Sequence, residues 1–121
     1  MKTILVVDDE PDILKVLVFR LKKAGYEVIQ AELGKKAIAL VRAERPDLVV
    51  LDYRLPDITG VDIARLMRAD EKLKRIPIIL LTASSGEDMS AVIMEADVNE
   101  FMKKPFDPEK LLAKVRMLIG E

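Results

Sequence analysis

The 121-residue sequence contains no histidine and no cysteine. Disulfides, thiolate nucleophiles, Cys/His zinc sites, serine triads and imidazole catalysis are all excluded. An excess of either charge is also missing: 20 Lys and Arg face 21 Asp and Glu, a net charge of -1. No long-range positive field is present to gather nucleic acid or an anionic membrane. Long apolar runs are absent at the N-terminus, where residues 4–7 are too few for a signal segment or a bilayer span. The expectation is a soluble, cytoplasmic protein whose chemistry rests on carboxylates, lysines and hydroxyls.

Half of the residues are apolar and 34% are charged, enough to build one core and too apolar for a disordered chain. The length suits one domain. Short apolar runs alternate with segments whose apolar residues recur at helical spacing, giving five βα units. Residues 3–7, 47–51 and 76–81 read as central strands of a parallel sheet, buried on both faces. Residues 27–31 and 98–102 alternate polar with apolar and are expected at the edges. Pro11 should open a first helix that buries Ile13, Leu14, Leu17, Val18 and Leu21 and stops at Gly25. A second helix is expected over residues 34–43 with Ala37, Ile38 and Val41 inside, ended before Pro46. Thr59 with Asp62, and Ser84 with Glu87, have capping-box spacing for the third and fourth helices. The third would bury Val61, Ala64, Leu66 and Met67. Asp107 and Pro108 should start the fifth, which carries Leu111, Leu112, Val115, Leu118 and Ile119.

Right-handed βαβ crossovers put the carboxyl end of every parallel strand on one edge of the sheet, where open α/β sheets bind ligands. That edge would collect Asp8, Asp9 and Glu10 from the first strand, Asp52 from the third, Thr82 from the fourth, and Lys103 and Lys104 from the fifth. Two of these carboxylates roughly 4 Å apart would repel by about 4 kcal/mol at an effective dielectric near 20. Lys104 offsets one charge, and a hard divalent cation such as Mg²⁺ suits the others. Taken singly, Asp8 and Asp9 could merely cap a helix and Asp52 open a turn. Their convergence with Thr82 and Lys104 on one edge is not what independent placement gives. An ionised aspartate attacks phosphorus without a general base, so this set fits phosphoryl transfer to Asp52.

In order and spacing, Val6-Val7-Asp8-Asp9-Glu10, Asp52-Tyr53-Arg54-Leu55-Pro56-Asp57 with Gly60, Leu81-Thr82-Ala83 and Lys104-Pro105-Phe106 resemble the receiver domain of two-component response regulators, the CheY-like family. The resemblance spans essentially the whole chain. It implies a flavodoxin-like (βα)5 fold with strand order 2-1-3-4-5, helices on both faces, and one receiver domain over residues 1–121 with no output domain. It implies that Asp52 accepts a phosphoryl group from a histidine of a sensor kinase or phosphotransfer protein. Asp8, Asp9, Asp52 and the Arg54 backbone carbonyl would hold Mg²⁺, with Mn²⁺ as a substitute, while Thr82 and Lys104 bind phosphoryl oxygens. Phe101 stands at the aromatic switch that turns inward with Thr82, and Lys104-Pro105 would be cis.

The implied protein is a signalling phosphoacceptor, not an enzyme acting on outside substrates. A kinase histidine would dock on the first helix and the loop after strand five. A downstream protein would read the face of helix four, strand five and helix five, including Met89, Phe101 and Lys103. At least two of Met89, Val92, Ile93 and Met94 should instead pack inside. Neither nucleic acid nor membrane is expected as a direct partner, and the state would be monomeric or a phosphorylation-dependent dimer. Phe101 replaces a frequent tyrosine and so brings no hydroxyl. Asp97 stands where a glycine often turns the chain left-handed. Arg54 and Ser84 occupy positions that vary across the family. Two other readings stay open: a Mg²⁺-dependent phosphohydrolase with an aspartyl nucleophile, and a phosphate-independent interaction module. Adjacent Asp8 and Asp9, rather than an Asp-x-Asp pair, disfavour the first, and the retained set of five residues disfavours the second. A flavin mononucleotide site is disfavoured by acids where its phosphate would sit.

Overall fold

Side chains of a strand alternate between two faces, and here both sets are apolar, so the strands can be central only if helices cover both sides. The computed structural model describes residues 1–83 and 89–120. The strands are β1 (Thr3–Val7), β2 (Glu27–Ala31), β3 (Leu48–Asp52), β4 (Ile78–Thr82) and β5 (Glu100–Lys103), all parallel in the order β2-β1-β3-β4-β5. The helices between and after them are α1 (Pro11–Lys23), α2 (Gly34–Glu44), α3 (Gly60–Ala69), α4 (Met89–Ala96) and α5 (Pro108–Ile119). This is the expected flavodoxin-like α/β fold. Ile4, Val6, Leu48, Val50, Ile79 and Leu81 face Leu14, Leu17 and Leu21 of α1 and Leu111, Leu112 and Val115 of α5. Leu5, Val7, Val49, Leu51, Ile78 and Leu80 face Ala37 and Val41 of α2, Val61, Ala64 and Met67 of α3, and Ala96 of α4. Among the described residues no helix is long and apolar enough to cross a membrane.

Three strands begin later than expected, each for a local reason. Asp47 brackets the mouth of β3: its N–H donates to the Thr3 carbonyl and its Oδ2 accepts from the Thr3 N–H, both at 2.8 Å. Ile76 donates to Leu73 in a closing turn and Pro77 has no N–H, so the β4 ladder opens at Ile78 and runs through Thr82. Asp97 takes the left-handed conformation with φ 55°, which a glycine would occupy more cheaply, and β5 starts only at Glu100. Asp52 and Thr82 thus lie within strands rather than just past them.

Pro11 opens α1, and Gly25 with φ 100° follows its end. In α3 the Thr59 hydroxyl accepts from the Asp62 N–H at 3.2 Å, as the capping spacing implied. Ile63, which the helical reading left out, is buried there, while Leu66 is only half-buried. Asp107 accepts from the Glu109 N–H and Pro108 opens α5. The Ser84–Glu87 pair lies outside the described residues, as do the side chains of Met89, Val92 and Ile93; Met94 is exposed.

Arg68 clasps the edge of the sheet opposite the strands' carboxyl ends. Its guanidinium donates to the carbonyls of Asp97, Lys74 and Ile76 and to Asn99 Oδ1, at 2.7–3.1 Å, and Asn99 Oδ1 also accepts from the Ile78 N–H. One side chain thereby joins α3, the turn into β4 and the turn into β5. Arg68→Ala should lower unfolding free energy by about 2–3 kcal/mol, and Arg68→Lys should recover less than half of it because one ammonium cannot match the fork. Denaturant titration of the three proteins measures this, and a loss below about 0.5 kcal/mol would show the clasp to be idle.

Candidate functional site

The period-two alternation that builds the core also aims the charges. Asp8 follows Ile4 and Val6, Asp52 follows Leu48 and Val50, and Lys104 follows Met102, so all three continue the face that α1 and α5 cover. Asp8 is fully buried, Asp52 is 5% exposed and Thr82 is 2% exposed. Main-chain bonds lock the strand ends together: Tyr53 N–H donates to the Leu81 carbonyl and Lys104 N–H to the Thr82 carbonyl, each at 2.7 Å.

Lys104 Nζ stands 3.0 Å from Asp8 Oδ2, 3.1 Å from Glu10 Oε1 and 3.2 Å from Asp52 Oδ2. The contacts to Glu10 and Asp52 are hydrogen bonds, whereas Asp8 Oδ2 is paired by charge alone and has no hydrogen-bond donor. Asp8 Oδ1 accepts from the Glu10 N–H at 2.9 Å. Burial, then the charge of Asp8, push the Asp52 carboxyl from 3.8 up to about 6, against the pull of Lys104. Burial alone would lower the Lys104 ammonium, but Asp8, Glu10 and Asp52 together hold it above the ordinary lysine range, so it stays charged.

Carboxylate oxygens of Asp8, Asp9, Glu10 and Asp52 lie within 4.8 Å of one another. Lys104 reaches three of these four acids, and among the described residues Asp8 Oδ2 is a buried oxygen that lacks a hydrogen bond. All donors are hard oxygens, so the set fits a small divalent cation. Residues 53–60 wrap closely beside it: Arg54 bridges Thr59, and the Gly60 N–H donates to the Tyr53 carbonyl at 2.7 Å. A Cβ on Gly60 would lie 2.3 Å from the Asp52 carbonyl oxygen, so only glycine permits α3 to start this close to β3. Asp9, Glu10, Asp52, Arg54, Ala83 and Lys104 line an open cleft of about 220 Å³.

The residues expected at the site are thus brought together, with Thr82 ending the adjacent strand. Phe101 is not in the cleft: it is 39% exposed, pairs in register with Leu80 and points to the opposite face of the sheet from Asp52. Lys103 is exposed, and Lys104-Pro105 is cis. Two groups were not assigned roles by the sequence. Glu10 partners Lys104, a contact hinted at only by its place in an acidic run. Asp57 reaches from the loop after β3 to the start of α2, and no local pattern announces that contact.

Residues 4–116 match the response regulator receiver domain family. The chain is 39% identical to the phosphate regulon transcriptional regulatory protein PhoB of Pseudomonas aeruginosa, over 98% of this chain and 52% of that protein. It is 36% identical to the alkaline phosphatase synthesis transcriptional regulatory protein PhoP of Bacillus subtilis, over 98% and 48%. The chain therefore spans about half the length of these curated relatives. Among solved structures, the chemotaxis response regulator CheY4 of Vibrio cholerae superposes with a TM-score of 0.90 at 30% identity, covering 98% of both chains. The receiver domain of a sensor histidine kinase from Pseudomonas aeruginosa, with a magnesium ion coordinated in its active site cleft, superposes at 0.90 with 32% identity, covering 99% and 98%. With its acids and lysine gathered where two strand ends and the turn after a third meet, and nearly its whole length matched, the chain belongs to the response regulator receiver domain family.

Proposed function

We propose that this domain is a phosphoacceptor switch in which Asp52 takes a phosphoryl group from a phosphohistidine of a sensor kinase or phosphotransfer protein. The observation that carries the reading is Lys104 Nζ held 3.2 Å from Asp52 Oδ2 inside a cluster of carboxylates. A carboxylate oxygen of Asp52 attacks phosphorus, the new O–P bond forms as the P–N bond breaks, and the imidazole leaves. The sequence has no histidine, so the donor belongs to another domain or protein. Asp8, Asp9, Asp52 and the Arg54 carbonyl would hold Mg²⁺, or Mn²⁺ in its place; when bound, the ion neutralises charge on the transferring oxygens. Lys104 stays charged through the reaction and exchanges a carboxylate for a phosphoryl oxygen. Thr82 donates its hydroxyl to another, and its movement toward the site releases Phe101 to turn inward.

An exposed apolar patch of Val16 and Phe19 on α1, flanked by Lys15, Arg20 and Lys23, supports α1 as the side on which the kinase docks. The face of α4, β5 and α5, with Phe101, Lys103 and Met94 exposed, is the proposed read-out surface. Residues 1–121 act as one receiver, in the cytoplasm, and the receiver's own surface makes no direct contact with nucleic acid.

Two outcomes test this. Incubation with Mg²⁺ and acetyl phosphate should add one acid-labile phosphoryl group by intact mass, lost in Asp52→Asn and on chelation; a wild-type protein that never gains it contradicts the phosphoacceptor reading. The second outcome concerns pH. Asp52 holds its proton more tightly in the folded state, at about 6, than at its unperturbed 3.8. Its contribution to stability is therefore complete below about pH 4 and is lost as pH rises through about 6. Without metal, Asp52→Asn should be more stable than wild type by about 1–2 kcal/mol at pH 7.5, with the difference closing below pH 4. Denaturant titrations across pH 3.5–8 measure the gap, and a constant or reversed difference contradicts the burial argument. Over the same range Mg²⁺ should bind more weakly as pH falls through 6, because protons compete for Asp52.

A further inference from the structure

The N-terminus of α2 is capped from a distance. Its own N-cap residue, Leu33, has no side chain that can accept a hydrogen bond, so the first N–H groups of the helix need an outside acceptor. Asp57, 23 residues away in sequence, supplies it: Oδ1 accepts from the Gly34 N–H at 2.8 Å and Oδ2 from the Lys35 N–H at 2.9 Å. Oδ1 also accepts from the Ile58 N–H at 3.0 Å, which fixes the carboxylate in its own loop. These backbone donors hold the Asp57 carboxyl below the ordinary aspartate range. The helix and loop are also in steric contact. A Cβ on Gly34 would come within 2.3 Å of Ile58 Cγ1, so glycine is what lets the two approach.

Residues 53–60 are therefore moored twice. One mooring is internal, through the Arg54–Thr59 bridge and the Gly60–Tyr53 bond; the other is the forked carboxylate of Asp57 on α2. The Arg54 carbonyl, a proposed metal ligand, sits on this loop three residues before Asp57. We infer that Asp57 is a positioning residue for the metal site, setting the Arg54 carbonyl by tying its loop to the start of α2, so that displacement of α2 is felt as weaker cation binding. The inference rests on the proposed metal site.

Magnesium chloride alone, titrated into the intact domain and followed by amide NMR, tests it. Asp57→Ala should raise the Mg²⁺ dissociation constant about tenfold, the lower end of what loss of a supporting group costs a metal site. Asp57→Asn keeps one acceptor oxygen and should fall between this variant and wild type. Gly34→Ala, which pushes the loop away without touching a carboxylate, should weaken Mg²⁺ as Asp57→Ala does, and combining it with Ile58→Ala should recover much of the loss. The measurements are made well below the melting temperature, where amide spectra confirm the fold; if Asp57→Ala does not fold, Asp57→Asn and Gly34→Ala decide. Asp9→Asn serves as the ligand control. If Asp9→Asn leaves Mg²⁺ affinity unchanged, the metal site itself is wrong. If Asp9→Asn abolishes binding while the Asp57 and Gly34 variants lose only thermal stability at wild-type affinity, the site stands and Asp57 is a helix cap alone.

Discussion

Everything at the carboxyl edge of this sheet depends on one ammonium group among acids. Asp8 and Asp52 are buried side by side, and without a nearby cation the ionised pair would oppose the packing of β1 against β3. Lys104 reaches both, together with Glu10, and its main chain is bonded to the end of β4. The compensation is incomplete, since Asp52 still titrates near 6 and one oxygen of Asp8 has no hydrogen bond. That residual imbalance raises the Asp52 carboxyl to about 6 but still leaves it mostly ionised at neutral pH, and the proposed divalent cation would relieve the crowding of negative charge.

Acidic residues can be held there because the surrounding structure is stiff. Five parallel strands carry apolar side chains on both faces, and charges replace them only where the strands end. Gly60 brings α3 up to the Asp52 carbonyl, while Asp57 ties the same loop sideways to α2. At the opposite edge, Arg68 does comparable work for the turns entering β4 and β5. The site is thus framed by main-chain contacts that leave its side chains few alternatives.

Much of this was legible in the sequence because it depends on periodicity. Short apolar runs locate the central strands and alternation of two residues the edge strands, spacing of three and four locates the helices, and parallel crossovers bring Asp8, Asp52, Thr82 and Lys104 to one edge. Capping by Thr59 and Asp107 is equally local. What escaped reading is of two kinds, fine local geometry at the strand entries and in α3, and contacts between distant segments. The entry to β4 was set by a turn and Pro77, that of β5 by a left-handed Asp97. Ile63 was missed because the buried stripe of α3 is wider than the minimal helical pattern. Asp57 entered only as a member of the motif after the third strand, and Glu10 as the end of an acidic run, since nothing nearby in sequence names their partners.

The two faces of the sheet divide the molecule's labour. Asp8, Asp52 and Lys104 continue the side packed by α1 and α5, whereas Thr82 and Phe101 continue the side packed by α2, α3 and α4. The sheet is a bulkhead with chemistry in one compartment and the proposed switch in the other. Under the proposed function, the effect of phosphorylation would have to pass around the rim of that wall, at the last peptide units of β3 and β4, where the Tyr53 N–H is bonded to the Leu81 carbonyl. A strand end would then serve as a doorway, its main chain fixing where Asp52 stands on one side of the wall and Thr82 on the other.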